Sequence, residues 1–241
     1  MGAKKTVFIN GGSRGIGAAM VRLFAQSGYR VAFSYLSSEE EAMQLEAVCG
    51  ALAVRADSSC YEDIGRAVSF VTESLGEIDI LINNAALSFV GLYTDIEEGC
   101  WEKMLSVNIK APERYIRYVL PGMIRRKNGK IINISSMWGQ VGASCEVHYS
   151  ATKAALIGLT KALAKEVGPS GITVNAIAPG MIETQMNNHL SEADKAAIAE
   201  DTPLMRVGTV EDVARCALFL AGEGGDFITG QVLCPNGGLV M

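Results

Sequence analysis

The chain has 241 residues, 49% of them apolar and 20% charged, which is ample material for one large α/β domain with a buried core and excludes the disordered, fibrous and low-complexity classes. Its formal net charge of −5 gives no electrostatic reason to sit on nucleic acid or on an anionic membrane. The six cysteines are scattered without a C-x-x-C pair and only His148 and His189 could join them, so the sequence offers no metal site and fits a reducing, cytoplasmic setting.

The N-terminal MGAKKT matches the short myristoylation pattern at Gly2, yet Thr6 already opens an apolar run, and an ordinary first strand over 6–10 (TVFIN) is the preferred reading. No apolar stretch reaches signal-peptide length at the start, or the roughly 18 residues that span a bilayer, so a soluble protein is expected. A helical pattern over 15–27 follows, and then strands at 30–35, 51–56, 79–83, 130–135, 173–178 and 231–234 alternate with helical patterns over 38–48, 60–75, 98–125, 149–168 and 209–221. The strands are apolar on consecutive residues, as burial on both faces demands. This rhythm predicts a single doubly wound Rossmann domain over 1–241, with a seven-stranded, mainly parallel sheet and helices on both faces. There is no repeat and no linker. The one long excursion from the βα rhythm, with a short helical pattern near 191–199, makes about 182–207 the candidate lid over the ligand crevice.

Straight after the first strand comes Asn10-Gly11-Gly12-Ser13-Arg14-Gly15-Ile16-Gly17. A glycine turn between a strand and a helix lets the backbone approach a pyrophosphate, with helix N-terminal N–H groups facing the anion. The end of the second strand reads Ser34-Tyr35-Leu36-Ser37-Ser38 and carries no carboxylate to repel a 2′-phosphate, while Arg14 supplies a guanidinium, so NADP is preferred to NAD. Glu39, Glu40 and Glu41 argue the other way unless they serve the dipole of the next helix.

Tyr149 and Lys153 stand four apart at the start of YSATKAALIGLTKALAKE, which stacks them on one helix face. An ammonium beside a phenol favours the phenolate and brings it toward proton exchange near neutral pH. Ser135 and Ser136 end the fifth strand and Asn83-Asn84-Ala85-Ala86 follows the fourth, at the same sheet edge as the glycine turn.

With these motifs the sequence resembles the short-chain dehydrogenase/reductase family from end to end, through 11–17, Asp57, 83–86, Asn108 in SVNIKA, Ser136, Tyr149 and Lys153, PGMIET at 179–184 and the late ITGQ. The resemblance implies Tyr149 as the acid/base, and Lys153 as the residue that lowers its pKa and binds the nicotinamide ribose. It implies Ser136 as the group that orients the carbonyl, and Asn108 as the holder of a water in the proton relay. Ser136 is preferred to Ser135 because it lies 13 residues before Tyr149, the family spacing. For NADPH the implied contacts are Gly11, Ser13, Arg14, Gly15, Ile16 and Gly17 in the turn, and Tyr35 and Ser37 after the second strand. Asp57 and Ser58 would meet the adenine, Asn84, Ala85 and Ala86 the ribose side, and Pro179, Gly180, Ile182 and Thr184 the nicotinamide and phosphates. The family is usually tetrameric, so a homotetramer is expected. Asn10 replaces a customary Thr and Ala86 a customary Gly.

Within the family the likeness is greatest to bacterial 3-oxoacyl-[acyl-carrier-protein] reductases, which implies a ketone substrate on acyl carrier protein. Ser170 stands where those enzymes commonly carry an Arg for docking the carrier, while the Arg125-Arg126-Lys127 cluster is present. The segment from Ser136 to His148 instead resembles elongation factor P 5-aminopentanone reductases, which act on a modified lysine of a translation factor; there Trp138 and Glu146 would offer a cationic side chain an aromatic wall and an anion. A non-catalytic nucleotide sensor would have no reason to hold Tyr149, Lys153, Ser136 and Asn108 together.

Overall fold

A computed structural model describes residues 4–187 and 190–241; Gly2 and His189 lie outside the described residues. Seven strands, β1 (Thr6–Asn10), β2 (Arg30–Tyr35), β3 (Leu52–Arg55), β4 (Ile80–Asn83), β5 (Gly129–Ile134), β6 (Ile172–Ile177) and β7 (Val232–Leu233), form one sheet in the order β3-β2-β1-β4-β5-β6-β7. All six pairings are parallel. The strand order reverses between β1 and β4, and ligands of such sheets bind in the crevice outside the carboxyl ends at that reversal.

Alternate strand residues feed two cores. Val7 and Ile9 of β1 and Ile80 and Ile82 of β4 pack on one face with α1 (Gly15–Gln26) and α9 (Val210–Ala221). Phe8 and Leu81, between them in sequence, pack on the other with α3 (Tyr61–Leu75) and α5 (Ala111–Arg126). Full burial of side chains such as Val7, Phe8 and Ile9 contributes roughly 1.5–3 kcal/mol each, which is why a strand buried on both faces needs no polar alternation.

The remaining helices are α2 (Glu39–Cys49), α4 (Glu98–Leu105), the single turn α6 (Trp138–Val141), α7 (Val147–Val167) and α8 (Glu192–Asp201). The helix expected over 98–125 is not uniform: a π turn at Ser106–Lys110 joins α4 to α5 and holds Asn108. Such wide turns inside helices recur at functional sites. The excursion after β6 is pinned at its base, where Ile182 and Gly208 form a β-bridge and Glu183 N–H donates to Gly208 O at 2.9 Å.

Candidate active site

The glycine turn is shaped by space as much as by backbone conformation. Gly11 takes a left-handed φ of +67°, and a Cβ on Gly17 would lie 2.1 Å from Gly11 O and 2.8 Å from Asn84 Nδ2. No side chain caps α1, and the N–H groups of Gly15, Ile16 and Gly17 have no hydrogen-bond partner among the described residues. The donors at this helix N-terminus are thus left for an anion. Thr184, at the start of the excursion, comes closest to Gly15: a Cβ there would be 3.7 Å from Thr184 Cγ2. A cavity of about 400 Å³ opens beside them, bordered by Gly15, Arg22, Thr184 and Lys195.

Asn10 does more than bond locally. Its Oδ1 accepts the N–H groups of Asn84 (2.8 Å) and Ala85 (2.7 Å), and its Nδ2 donates to Asn83 Oδ1 at 2.8 Å. Asn83 Nδ2 donates to Asn133 Oδ1 and Asn133 Nδ2 to Thr160 Oγ1, each at 2.9 Å. The register of β1, β4 and β5 sets Asn10, Asn83 and Asn133 side by side, so one buried chain of amides links the glycine turn to α7. The signal was present in three strand ends, VFIN, LIN and IIN.

On α7, Tyr149 and Lys153 are both buried, and Lys153 Nζ lies 5.5 Å from the centre of the Tyr149 ring. Lys153 Nζ donates to Ile134 O at 2.8 Å, and burial pulls its pKa down to about 7. Burial pushes the Tyr149 phenol up, Glu146 adds to this, and a hydrogen bond with Ser136 opposes it. The Lys153 amine thus lies over the Tyr149 ring, and burial works against the charged form of both groups. Ser135 is turned away, its hydroxyl donating to Lys153 O at 2.8 Å, which leaves Ser136 as the serine beside the phenol.

Asn108 is fully buried and its amide is committed. Nδ2 donates to Leu87 O (2.8 Å) and Thr152 Oγ1 (3.0 Å), and Oδ1 accepts Leu87 N–H at 2.8 Å. Its side chain ties the strand-four loop to α7.

The other expected contacts divide. Asp57 Oδ1 accepts from Ser59 N–H and hydroxyl, both at 2.7 Å, and Ser58 beside it is buried. Arg14 and Ser37 are exposed, and Arg14 has no ion pair among the described residues. Tyr35 is largely buried, its ring part of the apolar core that also holds Met20 and Phe24. Ile182 likewise buries its side chain in that core, leaving only its backbone for a ligand. Pro179 O accepts Met137 N–H at 2.9 Å and Gly180 N–H donates to Pro235 O at 3.2 Å, so these two brace the end of β6. Glu39, Glu40 and Glu41 fall in the first turn of α2, where they complement its dipole.

The wall beyond Tyr149 is built from three segments. Ser88 Oγ donates to Glu146 Oε1 at 2.9 Å, and Gly91 N–H donates to Cys145 O at 2.9 Å. His148 is stacked on Tyr93 at 4.9 Å and meets Trp101 at 5.0 Å. Glu146 is thus fixed at the N-cap of α7 rather than loosely solvated, and Trp138 is half-buried at the start of α6. Ser88, Tyr93 and Trp101 were not singled out from sequence, because only the tertiary fold brings their segments to His148. The basic cluster also changes meaning. Arg125 pairs with Glu77, and Arg126 with Glu77 (2.7 Å) and Asp79 (3.6 Å), so both arginines are engaged within the chain; Lys127 is exposed.

Among the described residues no helix is long and apolar enough to cross a membrane. The family model described as Enoyl-(Acyl carrier protein) reductase matches residues 11–240. The chain is 38% identical to the uncharacterized oxidoreductase YmfI of Bacillus subtilis, over 97% of this chain and 98% of that one. It is 36% identical to the 3-oxoacyl-[acyl-carrier-protein] reductase FabG of Staphylococcus epidermidis, over 98% and 99%. A blue fluorescent protein from a metagenomic library, solved in complex with NADPH, superposes with a TM-score of 0.92 at 34% identity, covering 98% of both chains. The chain belongs to the short-chain dehydrogenase/reductase family of oxidoreductases.

Proposed function

We propose that the chain reduces a ketone to a secondary alcohol with NADPH, as a 3-oxoacyl-[acyl-carrier-protein] reductase-like enzyme in which Tyr149 is the proton donor. The observation that carries this reading is the convergence of Tyr149, Lys153 and Ser136 at the carboxyl edge of the sheet that also carries the glycine turn. The residues fit the cofactor. Unpartnered N–H groups of Gly15, Ile16 and Gly17 would hold the pyrophosphate, Asp57 the adenine, Lys153 the ribose, and exposed Arg14 and Ser37 a 2′-phosphate.

When bound, NADPH supplies the hydride that the carbonyl carbon receives. Tyr149 gives its phenolic proton to the carbonyl oxygen, and Ser136 holds that oxygen by a hydrogen bond. A phenol pushed up by burial stays protonated at neutral pH, the form a general acid needs. Lys153, with a pKa of about 7, exchanges protons readily there and is placed to help recharge it. A cytoplasmic homotetramer belongs to the same reading.

A second reading, an amine-bearing ketone such as the aminopentanone-modified lysine of elongation factor P, is favoured by one observation: the Glu146 carboxylate, held by Ser88, acts electrostatically on Tyr149. The engagement of Arg125 and Arg126 with Glu77 and Asp79 weakens their use in docking a carrier protein. NADPH consumption is measured with free and carrier-bound 3-oxoacyl thioesters and with an amine-bearing ketone, on the unmutated chain and on Glu146→Gln. The first reading expects thioester turnover that Glu146→Gln leaves largely unchanged. Turnover of the amine-bearing ketone alone, lowered about tenfold by Glu146→Gln, would move the substrate to the second reading. No ketone-dependent NADPH consumption with any of them would overturn both.

A further inference from the structure

Residues 87–93, between β4 and α4, form neither strand nor helix, yet they are fastened at both ends to the turn of α7 that carries Tyr149. At the inner end Leu87 exchanges two hydrogen bonds with the Asn108 amide, Asn108 Nδ2 also donates to Thr152 Oγ1, and Thr152 Oγ1 donates to Tyr149 O at 2.8 Å. At the outer end Ser88 Oγ donates to Glu146, Gly91 N–H donates to Cys145 O, and the Tyr93 ring lies flat on His148 with 2° between the planes. Cys145 takes a left-handed φ of +63°, uncommon for a residue with a side chain, and its carbonyl is the one that Gly91 reaches. The three outer partners, Cys145, Glu146 and His148, all fall just before Tyr149 in sequence.

The two ends differ in kind. The inner bonds centre on Asn108 and Thr152, both 0% exposed, whereas Tyr93 is 65% exposed and adds little to any core. Its ring contact among the described residues is His148, which leans in turn on Trp101 of α4. A stacked pair at the surface stabilises mainly what it joins. Ala85, just before the segment, lies against the glycine turn, since a Cβ on Gly11 would be 2.8 Å from Ala85 Cα. The segment therefore runs from the cofactor crevice past the first turn of α7, along the approach of a ketone to the phenol.

We propose that Tyr93 is a positioning residue for the ketone: its stack on His148 fastens the outer end of segment 87–93 and so fixes one wall of the substrate site. It touches no reacting atom. The inference rests on the reading of the chain as a ketone reductase, in which Tyr149 is the proton donor.

The test compares Tyr93→Ala with Tyr93→Phe, which keeps the ring, by hydrogen exchange of segment 87–93 without ligands and by steady-state kinetics with a 3-oxoacyl thioester. Tyr93→Ala is expected to speed exchange in the segment about threefold to tenfold and to raise the ketone KM by a similar factor, with kcat and NADPH Kd within about twofold. Tyr93→Phe should restore both exchange and KM. Unchanged exchange in Tyr93→Ala would overturn the fastening, whatever the activity. Faster exchange with an unchanged ketone KM, or a KM that Tyr93→Phe does not restore, would overturn the role of the stack in ketone binding. Absence of ketone turnover by the unmutated chain would instead overturn the reductase reading, while exchange still decides the fastening.

Discussion

Two buried lysines sit at opposite ends of β5 and differ in what surrounds the amine. Lys130, at the amino end, is 6% exposed; its Nζ donates to Leu220 O (3.2 Å), Gly222 O (2.6 Å) and the carboxylate of Asp226 (2.6 Å). Lys153, whose Nζ reaches the carbonyl of Ile134 at the carboxyl end, is 2% exposed and has that carbonyl and the face of Tyr149, with no carboxylate partner among the described residues. The first arrangement satisfies a cation and ties β5 to the end of α9, and Lys130 in turn holds the Asp226 carboxyl below its usual range. The second leaves the amine underprovided, so burial lowers its pKa to about 7. A buried amine with every donor used belongs to the scaffold, whereas one with donors to spare next to a phenol is a working group.

Exchanging each lysine for methionine breaks the comparison most sharply. Lys153→Met is expected to lower kcat/KM roughly 10²–10⁴-fold, with NADPH binding also weakened. Lys130→Met is expected to cost about 1–3 kcal/mol of stability, by leaving the buried carbonyl of Leu220 without its lysine donor and removing one of the two donors on Gly222 O, with activity retained at temperatures where the chain is folded. Kinetics and denaturant melts on both variants check the pair, and a Lys130→Met enzyme that is stable but inactive would break the contrast.

A second way to sharpen it is pH. Lys153 has a folded-state pKa of about 7 against 10.5 for an unhindered lysine, so between these values the unfolded chain keeps a proton that the folded chain has released. Stability without cofactor should therefore rise with pH across that window, by up to about 1.4 kcal/mol per pH unit from this group, and be flat from it below about 7. Melts from pH 6 to 9 should show a steeper rise for the unmutated chain than for Lys153→Met. Equal slopes would mean that the amine is not buried as described.

The smallest effect concerns the exposed edge of the cofactor site. Arg14→Ala is expected to weaken NADPH by about tenfold or less, with NADH little changed, since the guanidinium faces solvent and its ion pair with a 2′-phosphate is partly screened. Equal weakening of both cofactors would assign Arg14 to the shape of the turn instead.

The parts of the molecule set by local rules were legible in the sequence. All seven strands and their parallel order follow from apolar runs alternating with helical periods, and the glycine turn follows from Gly11, Gly15 and Gly17 between β1 and α1. The four-residue spacing likewise put Tyr149 and Lys153 on one helix face. What escaped depends on which face a side chain takes or on distant contacts. That the Tyr35 ring joins the apolar core that also holds Phe33 is one such case. The wall at Glu146 and His148 draws Ser88, Tyr93 and Trp101 from about 50 residues away in sequence, where no periodicity signals the meeting. The π turn at Asn108 lies inside an unbroken helical pattern and leaves no mark in composition.

The proton donor is the central claim, and Tyr149→Phe tests it most directly because it removes only the hydroxyl. NADPH consumption with a 3-oxoacyl thioester and NADPH binding without substrate are measured side by side on the unmutated chain and the variant. The account predicts a loss of roughly 10²–10⁴-fold in kcat, with NADPH affinity nearly unchanged. Turnover by Tyr149→Phe close to that of the unmutated chain would contradict it.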